Sequence, residues 1–375
     1  MKRYSEVVLN GHPDKFCDLL ADRIIRYAYE IDRNAYAQIE ISIWSDNIFL
    51  TGSVVTINIF KIKLHKIILE LGLEIGYSGR NFIDIKKYKI IDKICWITEP
   101  PKKWTDFVND QSIVIGYAGY DTKTNYLPPE HFVAWYFREE ITKEFSGKII
   151  NGLGPDGKIL IVIDENENQW RIKKILLTLQ QLEKLSFLDF IDSCTHILQK
   201  IYNQLQIHDK RWIGEWEEIN ILINPNGPLT NGGSYGDNGQ TGRKLIMDFY
   251  GPRIPIGGGA IYGKHITHID RIGAINARKY AIDLVEFGAT EVQISICYAP
   301  NINTPLEVYL NSSVKPAIDL YEYFNFKEMY NRTNTNFLNY NLFKLGTFYN
   351  SELSFNKPEI KSKNILTNKS EYNLK

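Results

Sequence analysis

Gly227-Pro-Leu-Thr-Asn-Gly-Gly-Ser-Tyr-Gly-Asp-Asn-Gly-Gln-Thr-Gly-Arg-Lys244 holds six glycines and closes on an adjacent Arg-Lys pair. Glycine lets backbone N–H groups come close to a ligand and adopt φ > 0. Arginine offers a planar fork and lysine a point charge, and both suit phosphate. A second glycine cluster follows, Gly257-Gly-Gly-Ala-Ile-Tyr-Gly-Lys264, and then His268-Ile-Asp270-Arg271. A third element opens the chain, Gly11-His-Pro-Asp-Lys15. All three end in lysine. Together they point to a polyphosphate held by several cationic loops, with carboxylates nearby for a divalent metal. Neither glycine segment has the P-loop spacing GxxxxGK[ST] or the dinucleotide spacing GxGxxG. Any one of these loops alone reads as a tight turn; three in one chain point to a site.

The chain has 375 residues, more than one hydrophobic core usually organises, so two or three subdomains are expected. Lys+Arg and Asp+Glu each number 44, giving a formal charge of zero. That argues against a nucleic-acid partner held by bulk charge. Cys17, Cys95, Cys194 and Cys297 are widely separated, form no CxxC pair, and read as buried, reduced thiols of a cytoplasmic protein. No apolar run precedes Ser5 as a signal peptide would, and none reaches the ~20 residues that span a bilayer.

Hydrophobic periodicity places the loops on elements. Phe16, Leu19, Leu20, Ile24, Tyr27, Ala28 and Ile31 repeat at helical spacing, with Pro13 and Asp14 at the start. The His12 loop therefore sits at a helix N-terminus, a natural anion site. Ala37, Ile39, Ile41 and Ile43 alternate with polar residues, a half-buried strand with Glu40 on its polar face. A strand is expected over 48–59, helices over 61–75, 130–144 and 188–205, and strands near 158–164 and 219–224. A helix follows from Ile269 through Leu284, then a strand through Val292, Ile294 and Ile296. The pattern predicts three similar α+β units. Beyond about Asn356 the chain is polar and lysine-rich, and a mobile tail is expected there.

At this point the chain resembles the S-adenosylmethionine synthetase (methionine adenosyltransferase) family. The family's S-E-x-V-x-x-G-H-P-D-K is similar to Ser5-Glu-Val-Val-Leu-Asn-Gly-His-Pro-Asp-Lys15. Its G-D-Q…G-Y-A resembles Asn109-Asp-Gln111…Gly116-Tyr-Ala118, and its R-P-D-x-K resembles Gly154-Pro-Asp-Gly-Lys158. Its G-D-x-G-x-T-G-R-K resembles Gly236 through Lys244, and its G-G-G-A-F-S-G-K resembles Gly257 through Lys264. The implied fold is α+β, three similar subdomains of sheet plus helices around a pseudo-threefold axis. The implied division is 3–98, 106–226 and 227–355, followed by the tail at 356–375.

The resemblance implies transfer of the adenosyl group of ATP to L-methionine, with two Mg²⁺ per site and K⁺. It implies a homodimer or dimer of dimers with active sites between subunits, and neither a nucleic-acid nor a membrane partner. His12, Lys158, Arg243 and Lys264 take catalytic positions. Lys15, Asp110, Asp156, Asp237, Lys244 and Ala260 join them around ATP, and Asp237 also faces methionine. Asp14 and Asp270 match the Mg²⁺ ligands, and Glu40 matches the K⁺ ligand.

The departures from the family pattern gather at the amino-acid pocket. His268 stands where the family has a lysine near methionine. Ser53 stands where a glutamate holds the methionine ammonium. Leu229 replaces the aromatic residue near adenine, and Gly154 replaces the arginine of R-P-D-x-K. The loop over the site is shortened to about 100–109, and Gly346-Thr-Phe348 matches only faintly. Two alternatives stay open: a different nucleophile substrate, or a non-catalytic nucleotide-binding or partner subunit.

Overall fold

The computed structural model describes residues 1–58, 63–79, 83–147, 152–181, 185–333, 347–351 and 353–358. Gly346 and the stretch 359–375, where the tail is expected, lie outside the described residues. The elements build three sheets, each backed by helices. The first has the order β1 (Lys2–Val8), β7 (Leu153–Asn166), β8 (Gln169–Gln181) and β9 (Asn220–Ile223). The second runs β10 (Gly239–Gln240), β2 (Tyr36–Trp44), β3 (Asn47–Val55) and β4 (Lys89–Asp92), with β5 (Cys95–Ile97) also on β3. The third runs β12 (Glu307–Ser312), β11 (Glu291–Tyr298) and β6 (Ser112–Gly119).

Each sheet has its own core because each alternates apolar residues toward helices. Phe16, Leu20 and Ile24 of α1 (Pro13–Ile31) and Ile67 and Leu71 of α2 (Leu64–Ile75) cover the second sheet. A one-turn helix, α3 (Lys102–Thr105), lies in the shortened loop. Phe132 and Phe137 of α4 (Pro129–Gly147) and Phe190 and Ile201 of α5 (Phe187–His208) cover the first. A second one-turn helix, α6 (Leu245–Asp248), precedes α7 (Ile269–Glu286), whose Ile272, Tyr280 and Leu284 cover the third.

Among the described residues, seven strands escape the periodicity reading: β1, β4, β5, β6, β8, β10 and β12. β8 carries a register shift against β7 between Val162 and Ile163, so its alternation breaks at Lys173-Lys174. β1, β6 and β10 each join a sheet built mainly from another part of the chain. These three crossings bring the loops together. Of the cysteines, Cys17 and Cys194 are buried, but Cys95 is exposed and Cys297 intermediate. Among the described residues, no helix is long and apolar enough to cross a membrane.

Candidate active site

The N-terminus of α1 is the first centre. The chain after β1 is pinned to the start of β7 by two bonds, Leu9 N–H to Gly157 O (2.9 Å) and Gly11 N–H to Pro155 O (3.0 Å). A Cβ on Gly11 would meet the Pro155 oxygen at 2.4 Å, so only glycine fits that approach. His12 then caps the helix: its Nδ1 accepts the Asp14 N–H at 3.2 Å. An accepting Nδ1 leaves the ring proton on Nε2. Burial, helped by the Lys244 and Lys158 ammoniums, lowers the His12 pKa to about 3, so the ring is neutral at physiological pH. Lys158 is exposed on β7, opposite Val8 and Thr178.

Asp14 gathers the first glycine loop. It accepts the Gln240 N–H (2.9 Å) and the Lys244 ammonium (2.5 Å), with the Arg243 guanidinium at 3.5 Å. Burial alone would raise its pKa, but the Lys244 and Gln240 hydrogen bonds hold it below the usual range. Gly239 lies against the helix start, where a Cβ would meet Pro13 C at 2.3 Å. Two more aspartates continue the same face of α1 at four-residue spacing. Asp18 accepts Gly242 N–H and Asp22 accepts Gly263 N–H, each at 2.8 Å. One helix face therefore sets the path of both glycine loops.

Lys15 does not fit its sequence reading as a phosphate-gripping cation. It is 2% exposed, held by Asp18 at 3.0 Å and by Asp248, and lies over the Tyr262 ring. Its charge is satisfied inside the fold. Burial pushes Asp248 up to about 7 even with that ammonium beside it.

The second centre is the N-terminus of α7. His268 caps it, with Nδ1 accepting the Asp270 N–H at 3.3 Å. Burial and the Lys264 charge lower the His268 pKa to about 4. Asp270 accepts from Ser112 Oγ at 2.5 Å and from the Lys264 ammonium. Asp110, His268 and Asp270 offer donor atoms within 4.8 Å of one another. Arg271 spans Asp22 (3.1 and 3.2 Å) and the Lys264 carbonyl (2.7 Å), tying α7 to α1. The shortened loop docks here. Trp104 of α3 stacks on Tyr36 with ring centroids 5.7 Å apart, and Asn109 accepts the Ile269 N–H at 3.3 Å.

The remaining predicted residues sit around these centres. Asp156 accepts the Gly233 N–H at 2.7 Å, fastening the first glycine loop to β7, and burial pushes its pKa up to about 6. Ala260 borders Gly242, and Asp237 is exposed in its loop. Glu40 is exposed opposite Thr51. Ser53 pairs with Gln38, which bridges to Lys264, so Ser53 belongs beside the second centre. At Gly154 a Cβ would meet Gln180 Oε1 at 2.5 Å, so the family arginine would fit here only with the Gln180 side chain displaced. No hydrogen bond or ion pair among the described residues joins His12, Asp14, Arg243 and Lys244 directly to Asp110, Lys264, His268 and Asp270. The inventory falls into two halves. A cavity of about 540 Å³ lined by Tyr4, Val8, Leu160, Arg243, Lys244 and Met247 opens beside the first. Sequence reasoning missed Asp18, Asp22, Ser112, Asp248 and Arg271. The four-residue spacing of Asp14, Asp18 and Asp22 could have signalled two of them, and Arg271 ends the quoted stretch His268-Ile-Asp270-Arg271.

Three family models match in order: the S-adenosylmethionine synthetase N-terminal domain over 2–96, central domain over 106–229 and C-terminal domain over 231–335. The chain is 31% identical over 321 residues to an S-adenosylmethionine synthase of Borrelia garinii subsp. bavariensis, covering 83% of this chain and 80% of that one. It is 31% identical over 326 residues to one of Acholeplasma laidlawii, covering 82% and 81%. The fold is similar to that of a protein described as an unusual S-adenosylmethionine synthetase from Campylobacter jejuni. That likeness has a TM-score of 0.80 at 22% identity, over 95% of this chain and 97% of that one. The three sheet-plus-helix units are that fold, and the chain belongs to the S-adenosylmethionine synthetase family.

Proposed function

We propose that the protein transfers the adenosyl group of ATP to the sulfur of L-methionine. A sulfur lone pair attacks C5′ as the C5′–O5′ bond breaks. The products are S-adenosylmethionine, a sulfonium, and triphosphate, which is then hydrolysed to phosphate and diphosphate. A thioether has no proton to lose, so no general base is needed. The work is positioning and stabilisation of charge on the leaving oxygen. The first centre carries this reading: a neutral, buried His12 with its proton on Nε2, among Lys158, Arg243 and Lys244 at a helix N-terminus. Nε2–H donates to the leaving oxygen without bringing a charge that must be desolvated. Lys158 supplies charge from the adjacent strand, while Arg243 and Lys244 hold phosphate oxygens.

The residues fit Mg²⁺. Asp14 and Asp270 each already hold a lysine ammonium, a cation standing where a metal would sit, and their donors are hard oxygens. They would hold the two ions, which when bound neutralise charge on the triphosphate oxygens. The Nε2 of His268 carries a proton while Nδ1 caps the helix, so this ring donates rather than ligates. Glu40 is a single exposed carboxylate in one chain, and its K⁺ role belongs to an assembled site.

Two observations support a homodimer with shared sites. The catalytic inventory is split into halves, and the sheet faces away from the helices expose apolar side chains. Tyr4, Trp44, Phe49 and Ile113 are 61%, 55%, 40% and 54% exposed. A different nucleophile is the second reading, favoured by the uncharged Ser53 and His268. The test is incubation with ATP, Mg²⁺, K⁺ and methionine, followed by mass detection of S-adenosylmethionine, phosphate and diphosphate. No sulfonium product at high enzyme and methionine, with ATP binding intact, overturns the proposal.

A further inference from the structure

His12 and His268 hold the same stereochemical position on different helices. Both are N-caps, with φ −63° and ψ 133° at His12 and φ −62° and ψ 133° at His268. Each Nδ1 accepts the N–H of the aspartate two residues on, at 3.2 and 3.3 Å. Each aspartate then holds a lysine ammonium from a glycine loop, Lys244 on Asp14 and Lys264 on Asp270. Each helix start has a glycine pressed against it: a Cβ on Gly239 would strike Pro13, and one on Gly259 would strike the Asp270 carboxyl at 2.2 Å. Only His-x-Asp is shared between His12-Pro-Asp-Lys15 and His268-Ile-Asp-Arg271.

Capping alone does not call for histidine, since Ser, Thr, Asp and Asn cap better. What histidine adds is a second nitrogen. With Nδ1 occupied, the His268 proton is on Nε2. The ring is 2% exposed, yet among the described residues Nε2 makes no hydrogen bond; the Asp110 carboxylate stands 3.8 Å away, beyond bonding distance. A donor on an otherwise buried ring is thus left without a hydrogen-bond partner among the described residues.

We propose that His268 is a polyphosphate-binding residue, giving its Nε2–H to a phosphoryl oxygen at the α7 N-terminus as His12 does at the α1 N-terminus. This rests on the adenosyl-transfer reading. It revises the expectation that His268 is merely a lost charge near methionine. The surroundings favour polyphosphate over the amino-acid carboxylate. The Asp110 and Asp270 carboxylates flank the ring at 3.8 and 3.7 Å, and the Lys264 charge is already matched by Asp270. A lone carboxylate would face two acids. A polyphosphate arriving with its divalent cation brings positive charge to those acids and oxygens to the donors.

The test is calorimetric titration of the full chain with tripolyphosphate in Mg²⁺. His268→Ser keeps a good helix cap but has no donor that reaches the site. It should weaken tripolyphosphate about tenfold or more, as loss of a hydrogen bond to a charged group does, while the KM for methionine stays within about twofold. His268→Asn also caps and falls short of the Nε2 position, so it carries the same expectation should the serine variant fail to fold. Unchanged tripolyphosphate affinity in the folded variant would mean a cap only and overturns the inference. A raised KM for methionine with unchanged tripolyphosphate affinity would assign the donor to the carboxylate and also overturns it. Neither result touches the adenosyl-transfer reading. A wild-type chain that binds no tripolyphosphate in Mg²⁺ sinks both.

Discussion

His131 links stability to pH through a single buried ring. It is fully buried in the core of the first sheet, where Nδ1 meets Ser5 Oγ at 2.9 Å and Nε2 meets Met247 O at 3.1 Å. Burial lowers its pKa from 6.5 to about 3. Between those values the unfolded chain takes up a proton that the native chain refuses. The sign follows: stability from this group is complete above about pH 6.5 and falls as the pH drops toward 3, at about 1.4 kcal/mol per pH unit. From about pH 7 to about pH 5 the loss is about 2 kcal/mol, against a total of about 5–15 kcal/mol for a folded domain. His131→Gln removes the titration and retains an amide for Ser5 and Met247. The assay is denaturant unfolding of wild type and variant at both pH values. Other titrating groups cancel in the difference between the two proteins. The wild type's advantage over the variant should shrink by about 2 kcal/mol at the lower pH. A gap that is the same at both values would mean that His131 is protonated in the native state, and would refute the burial argument.

Four further outcomes are expected. His12→Ala and Lys158→Ala should each lower kcat by about 10²-fold or more with little change in ATP affinity, because their contacts strengthen as the leaving oxygen gains charge; single-turnover rates beside ATP titrations check this. Asp14→Asn and Asp270→Asn should raise the Mg²⁺ concentration for half-maximal rate, whereas Glu40→Gln should blunt stimulation by K⁺; cation titrations of the variants separate the two effects. Ser53→Glu should lower the KM for methionine about tenfold, since it returns a negative charge to the place of an ammonium-binding residue; steady-state kinetics that leave this KM unmoved would show that the ammonium is held elsewhere. Arg271→Leu leaves Asp22 buried without its cation and should cost about 3–5 kcal/mol, while Asp22→Leu with Arg271→Leu should recover much of that loss in thermal melts.

Much of the site was legible because its signals are local. A glycine run, an aspartate in the first turn of a helix and an apolar alternation are each read within a few residues. They placed His12 and Asp14 at a helix N-terminus and Glu40 on the outer face of a strand, and they marked out the glycine loops. The local reading failed where a side chain's direction depends on distant partners. Lys15 follows Asp14 in the phosphate-like motif, yet Asp248, 233 residues away, turns its ammonium inward. Ser112 reaches Asp270 across 158 residues, and Gly263 reaches Asp22 across 241. No spacing rule contains these pairings.

The sequence by itself determined the class of fold and marked the three lysine-ended loops, since each is written in contiguous residues with their own propensities. Only the tertiary structure decided that one face of α1 sets both glycine loops, that Lys15 is withdrawn into the interior, and that His268 repeats the geometry of His12. Those features arise when β1, β6 and β10 cross into sheets built elsewhere in the chain, and a crossing is decided by packing and hydrogen bonding in three dimensions.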